Sequence, residues 1–243
     1  MKKLLIAIPL VCLCACSGAG GSSDSAAVSG TSVQDRRQAW CASLRDSVES
    51  LQEEYDTCQE QLEALRGRFA SLLDRFEIVD DPVLVEPYRV AKGWRGYDTT
   101  GRQGVLSRVL EDGSIEMVAT AAGDFSSMTF SSGGESVSSE TVPAGSSLHT
   151  ALGQLTRVAF NNAAPLAAFV SDHVGEPVTM TLSSGKSFPL SEAQRRMIAD
   201  TWEFSALLGQ IHELEKRESV IYNKLQLCRA KVAELETRND KQP

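Results

Sequence analysis

From Cys41 onward, apolar side chains recur at Leu44, Val48, Leu51, Tyr55, Cys58, Leu62, Leu65, Phe69, Leu72 and Phe76. The steps alternate three and four without a break, which is the a/d pattern of a heptad seam. A second run near the C-terminus has the same spacing: Ala193, Met197, Asp200, Phe204, Leu207, Ile211, Leu214, Glu218, Ile221, Leu225, Cys228, Val232 and Leu235. Asp200 and Glu218 are its two acidic interruptions. Ser191 followed by Gln194 is a capping-box start. The pattern predicts helices over 35–76 and 191–237.

The two runs fit each other as an antiparallel pair. With Phe76 set against Ala193, Leu62 meets Leu207, Leu65 meets Phe204, Val48 meets Ile221 and Leu44 meets Leu225. Asp200 and Glu218 then fall opposite Phe69 and Leu51, where they set the register or bend out to water. At the flanks, Glu54 faces Arg217 and Arg68 faces Glu203, while Arg75 against Arg196 is a like-charge mismatch. Self-association of one helix with another copy is the rival arrangement. In the paired register Cys41 and Cys228 share the last layer. Cys41 and Cys58 stand roughly 25 Å apart on one helix and cannot bond. Joining Cys58 to Cys228 would leave much of one helix unpaired. The expected disulfide is therefore Cys41–Cys228, with Cys58 a buried free thiol opposite Ile211.

Between the helices the composition changes. Residues 77–190 are rich in Gly, Ser, Thr and Val, and no helical period persists. Val178, Met180 and Leu182 alternate with Thr179 and Thr181, as in a half-buried strand, and Ile115, Met117 and Ala119 repeat the pattern. Asp112-Gly113 joins the 105–110 and 115–120 runs as a hairpin. Ser132-Gly133-Gly134 and Ser184-Gly185 mark further turns. Runs at 125–130, 136–142, 155–160 and 166–171 bring the count to about eight short strands, the signature of an antiparallel sandwich or barrel. The expected fold class is α+β: an antiparallel coiled-coil helical hairpin carrying an inserted antiparallel β-sandwich or barrel head.

The N-terminus changes where this object sits. Lys2 and Lys3 precede an apolar stretch over 4–15, too short to span a bilayer core of ~30 Å and built like an export signal. It ends Leu13-Cys14-Ala15-Cys16. This resembles the lipobox of bacterial lipoproteins, with Leu three residues before, and a small residue immediately before, the cysteine that becomes lipidated. The resemblance implies cleavage after residue 15, lipidation at Cys16 and a membrane partner through that anchor. Ser17, rather than Asp, after the cysteine implies sorting to an outer membrane. Residues 17–34 are mostly Ser, Gly and Ala and read as a flexible tether. The chain is thus divided as leader 1–15, lipidated cysteine and tether 16–34, stalk helix 35–76, head 77–190, second stalk helix 191–237 and tail 238–243. Both helix ends sit at the lipid, with the head at the far tip.

Charge narrows the partners. Lys and Arg total 24 against 32 Asp and Glu, a net charge of -8 over 243 residues. An acidic chain repels a phosphate backbone, so no nucleic-acid partner is expected. The three histidines, His149, His173 and His212, lie in no metal-ligand spacing. Asp172-His173 lacks a nucleophile elbow to serve. Gly185-Lys186-Ser187 echoes a phosphate loop, but Met180 stands where the first glycine belongs and Pro189 where a helix should begin. No catalytic residue, metal site or cofactor is expected. Binding character appears only at Tyr88, Trp94 and Tyr97, around a glycine-bearing loop, where aromatics form platforms or pack into a core. The expected function is non-enzymatic: a lipid-anchored envelope protein whose head binds a glycan or an envelope protein. The alternative is a structural subunit that associates through its coiled coil, with Leu73 and Leu208 beside the seam as candidate contacts.

Overall fold

A computed structural model describes residues 33–80, 87–95, 102–143, 148–149 and 155–239. The leader, Cys16, the tether as far as residue 32 and Tyr97 lie outside the described residues, and the last two residues assigned to the tether, Val33 and Gln34, open the first helix. The protein is mixed α+β, with two antiparallel sheets and three helices among the described residues. Helix α1 (Val33–Leu73) leads into β1 (Phe76–Val79), β2 (Tyr88–Ala91), β3 (Gly104–Val109) and β4 (Ile115–Ala121). Then come β5 (Met128–Ser132), β6 (Glu135–Ser138), β7 (Leu148–His149) and β8 (Thr156–Phe160). Helix α2 (Ala164–Asp172), β9 (Thr179–Leu182), β10 (Ser187–Pro189) and helix α3 (Glu192–Asn239) complete the chain order. One sheet runs β1-β2-β3-β4-β8-β7 and the other β10-β9-β5-β6.

Every residue of β3 and β4 is buried. Strands covered on both faces bury even the polar half of their alternation: Ser107, Arg108, Glu116 and Thr120 are buried with their apolar neighbours. Pairing Val105 with Ala119 and Val109 with Ile115 sends Val105, Val109, Ile115, Met117 and Ala119 to one face. They share a single apolar cluster with Phe130 and Met180 of the second sheet, Leu166 and Val170 of α2, and Met197, Phe204 and Leu207 of α3. The β3–β4 connection is a tight loop in which Leu110 N–H donates to the Ser114 carbonyl at 2.9 Å. Asp112 accepts from Ser114 N–H at 2.8 Å, and this bonding to Ser114 holds its carboxyl below the ordinary range. Gly113 has φ +84°, and a Cβ there would come within 2.9 Å of Leu208 Cδ2. The hairpin tip lies against α3, where Ser205 donates to the Gly113 carbonyl at 2.7 Å.

The 166–171 run is not a strand. It lies in α2, whose buried residues Leu166, Ala167 and Val170 have helical spacing and whose first turn carries a proline. Alanine content and Pro at a helix start both favour this outcome over a strand. The Ser191–Gln194 capping box is present. Gln194 N–H donates to Ser191 Oγ at 3.2 Å, and Ser191 N–H donates to Gln194 Oε1 at 3.0 Å.

Helices α1 and α3 run antiparallel, but the register differs from the expected one by a heptad. Phe204 lies between Phe69 and Phe76, with ring centroids 4.7 and 4.8 Å away, so it is level with Leu72 rather than Leu65. Tyr55 packs on Tyr222 at 5.9 Å. The ion pairs Arg66–Glu215 at 2.7 Å and Arg45–Glu236 fit the same displacement. The expected starting layer is missing altogether: Phe76 belongs to β1 and Ala193 is exposed. Glu54–Arg217 at 2.6 Å and Arg68–Glu203 at 3.5 Å both form, because an arginine reaches its partner in either register. Asp200 pairs with Arg75 at 3.2 Å. Burial nevertheless raises its carboxyl above the ordinary range, with Arg75 opposing.

The shift separates the cysteines. Cys41, Cys58 and Cys228 are free thiols, and the expected Cys41–Cys228 bond is not formed. Cys41 now lies level with Leu235, both buried, and Cys228 is level with Val48, roughly 10 Å along the axis from Cys41. Cys58 donates to the Leu214 carbonyl at 3.6 Å, and burial pushes its thiol up. A Val48→Cys substitution is therefore expected to crosslink to Cys228 under mild oxidation, leaving Cys41 a free thiol that is alkylated once the chain is denatured. Non-reduced peptide mapping reads the result. A Cys41–Cys228 peptide from the unsubstituted chain would contradict this register.

Candidate functional site

The expected aromatic platform is only partly where the sequence puts it. Tyr88 is 4% exposed and belongs to the core; it is no surface platform. The Arg108 guanidinium stacks on its ring, 4.3 Å from the centroid. Trp94 is half-buried and packs against the same core. The alternation of β2 turns Tyr88 to the face that carries Arg108 and Glu116, since Arg89 is the residue paired with Val109.

Arg108 and Glu116 are directly paired across β3 and β4. Their side chains are 2% and 11% exposed, and Arg108 Nε donates to Glu116 Oε1 at 2.6 Å. Arg108 Nη1 and Thr120 Oγ1 have no hydrogen-bond partner among the described residues. A buried pair of this kind adds little net stability, but removing one partner strands a charge. Its chemistry is structural, since a guanidinium held by its own carboxylate and capped by Tyr88 offers no proton relay. The remaining titratable candidates are likewise dispersed. His173 Nδ1 lies 2.9 Å from the Phe169 carbonyl and its Nε2 3.8 Å from Glu135. His212 is exposed on α3. Lys186 sits in the β9–β10 turn and donates to the Ala122 carbonyl at 2.7 Å, so Gly185-Lys186-Ser187 is a hairpin turn. Among the described residues no group of three or more His, Cys, Asp or Glu is placed to hold a metal ion. No described helix is long and apolar enough to cross a membrane.

Around the sheets, the described residues form a cleft and an exposed polar face. The first is a cleft of about 420 Å³ where the helices meet the larger sheet, lined by Phe69, Ile78, Tyr88, Val109, Phe204 and Leu208 with Arg89 and Glu111 among them. Ile78 is 55% exposed at its edge.

The second is the outer face of the smaller sheet, built entirely by strand register. Inward, Met128, Phe130, Met180 and Leu182 are buried. Outward, Ser187 pairs with Thr181, Thr181 with Thr129, and Thr129 with Ser138. The next row runs Pro189, Thr179, Ser131 and Ser136. Seven of these eight positions carry a hydroxyl and none carries a charge. All eight are exposed or half-exposed. Within the first row Thr129 bonds Ser138 at 2.8 Å and Thr181 bonds Ser187 at 2.9 Å. Sequence reasoning missed this face. The Thr179/Thr181 alternation was visible, but only the pairing of four strands lines the hydroxyls up.

Compared with known proteins, the chain matches no family model, no curated protein and no solved structure.

The buried pair makes a direct prediction. Glu116→Ala is expected to destabilise the fold by about 3–5 kcal/mol, measured by urea unfolding. The double substitution Arg108→Met with Glu116→Leu should recover most of that loss. If Glu116→Ala unfolds at the same urea concentration as the unsubstituted chain, the guanidinium has another partner.

Proposed function

We propose that this chain is a lipid-anchored cell-envelope protein that presents a non-catalytic binding head on a coiled-coil stalk. The head would be a two-sheet sandwich bolstered by α2 and by the first turns of α3. The observation that carries the reading is the antiparallel course of α1 and α3. It brings Val33 and Asn239 to the end remote from the sheets, and the lipobox cysteine precedes Val33 in the sequence. Leu65 is the outermost α1 residue packed against the core. The helix before it would hold the head roughly 45–50 Å from its base, at 1.5 Å per residue.

The uncharged hydroxyl face supports a binding role, because β10 ends at Pro189, beside the α3 terminus opposite Asn239. The rival, a structural subunit joined through its helices, needs a continuous apolar stripe outside the seam. Leu73 and Leu208 instead pack against the core. Val220 and Leu227 are exposed one heptad apart on α3, but the charged Lys224 and Lys231 lie between and beyond them on that face, so they do not form a continuous stripe.

Replacing Cys16 with Ser tests the anchor. The variant is expected to leave the membrane fraction or to accumulate with its leader uncleaved. A processed, unlipidated chain that still fractionates with membranes would contradict the assignment.

A further inference from the structure

We propose that the cleft between the helices and the larger sheet is a binding site for a single-chain amphiphile with a carboxylate head, that is, a free fatty acid whose head Arg89 holds. The inference goes beyond the presentation of a head: neither the lipid anchor nor the outer face of the smaller sheet enters it.

The site is built by strand register. Ile78 pairs with Arg89 and Arg89 with Val109, so the three make one row across β1, β2 and β3 on a single face of the sheet. Phe69, Phe204 and Leu208 of the long helices line the same cleft. Arg89 thus has an apolar residue on each side of it in the row. It is half-buried. Arg45, Arg66, Arg75, Arg108 and Arg217 each have a carboxylate partner, but Arg89 has none among the described residues. Glu111 also lines the cleft without forming an ion pair with it. A guanidinium drawn partly out of water with no counterion carries an uncompensated desolvation cost. A bound carboxylate removes that cost through charge-assisted, bidentate hydrogen bonds.

The rest of the lining selects the body that carries the carboxylate. Beyond Arg89, Glu111 and the Tyr88 hydroxyl, the described lining side chains are apolar. An extended peptide would bring an amide at every residue and a sugar a hydroxyl at most carbons, and these side chains leave such groups unpaired. An alkyl chain has no polar group to satisfy, and its burial against Phe69, Ile78, Val109, Phe204 and Leu208 is favourable. The volume of about 420 Å³ falls toward the small end of the range for small-molecule pockets, room for one chain rather than the two of a membrane phospholipid. Glu111, exposed at the rim, repels a doubly charged phosphate head more strongly than a singly charged carboxylate.

The test uses the full-length protein in nanodiscs of zwitterionic lipid, irradiated with a diazirine-bearing analogue of dodecanoate or of dodecanol and mapped by mass spectrometry. The acid is expected to label peptides that carry Ile78, Val109 or Leu208, and excess unlabelled dodecanoate, but not dodecanol, should remove that label. Arg89→Gln should lower labelling at the cleft about tenfold or more, and Arg89→Lys should restore part of it. The Arg89→Gln melting temperature should stay unchanged, because no ion pair is lost. Equal labelling of the cleft by the alcohol, or by the acid in Arg89→Gln, would overturn recognition of the carboxylate. Label confined to other peptides, or cleft label that excess dodecanoate does not displace, would overturn the site itself.

Discussion

Phe204 of α3 sits between Phe69, near the end of α1, and Phe76, at the start of β1. Those three rings lie where the two helices meet the sheets, and they decide how far one helix slides along the other. Heptad seams are degenerate in this respect: an a/d surface repeats every seven residues, so any displacement by a whole heptad still buries apolar layers. Flanking arginines add little discrimination because their side chains span the difference. An aromatic wedge has one seat. It is anchored in turn by the sheet, since Phe76 is a strand residue paired with Ala91, and by the Gly113 turn, which lies against Leu208 one helical turn beyond Phe204.

The sheets depend on the helices just as directly. Among the described residues, β2 pairs with β3 at Arg89 and Val109. Farther along β3, at Ser107, the backbone N–H is met instead by Met197 of α3 at 3.4 Å. An open strand edge invites pairing with other chains, and α3 covers part of this one. Met197, Ile198, Phe204 and Leu207 all belong to the common core. The helices are therefore part of the β unit at one end and project as a bare pair at the other.

Legibility in the sequence followed how local each determinant was. The long helices, the Ser191 cap and the Asp112-Gly113 turn are written in neighbouring residues, and all were readable. Helix α2 was not: it has nine residues, six of them Ala, Leu, Phe or Val, too few for their period to separate helix from strand, and Pro165 at its start is a weak signal among strand-like neighbours. The register was not, because heptads conceal their own displacement, and the Cys41–Cys228 bond fell with it. Arg108 and Glu116 were hidden inside runs read as ordinary strands; only their cross-strand pairing makes them partners. The hydroxyl face is the extreme case. Each of its residues is a plain solvent-facing position, and its character exists only once β10, β9, β5 and β6 are side by side.

The central claim is that α1 and α3 pair antiparallel within one chain and bring their free ends together far from the sheets. Pulsed dipolar spectroscopy between spin labels at Gln38 and Arg238 tests it most directly, in a sample diluted with unlabelled protein. Helix axes packed about 8–10 Å apart predict a short distance, below about 25 Å with label tethers included, that persists on dilution. A distance that lengthens to several tens of ångströms, or a short one that disappears as unlabelled chain is added, would contradict the intramolecular pair and the presentation of the sheets at its far end.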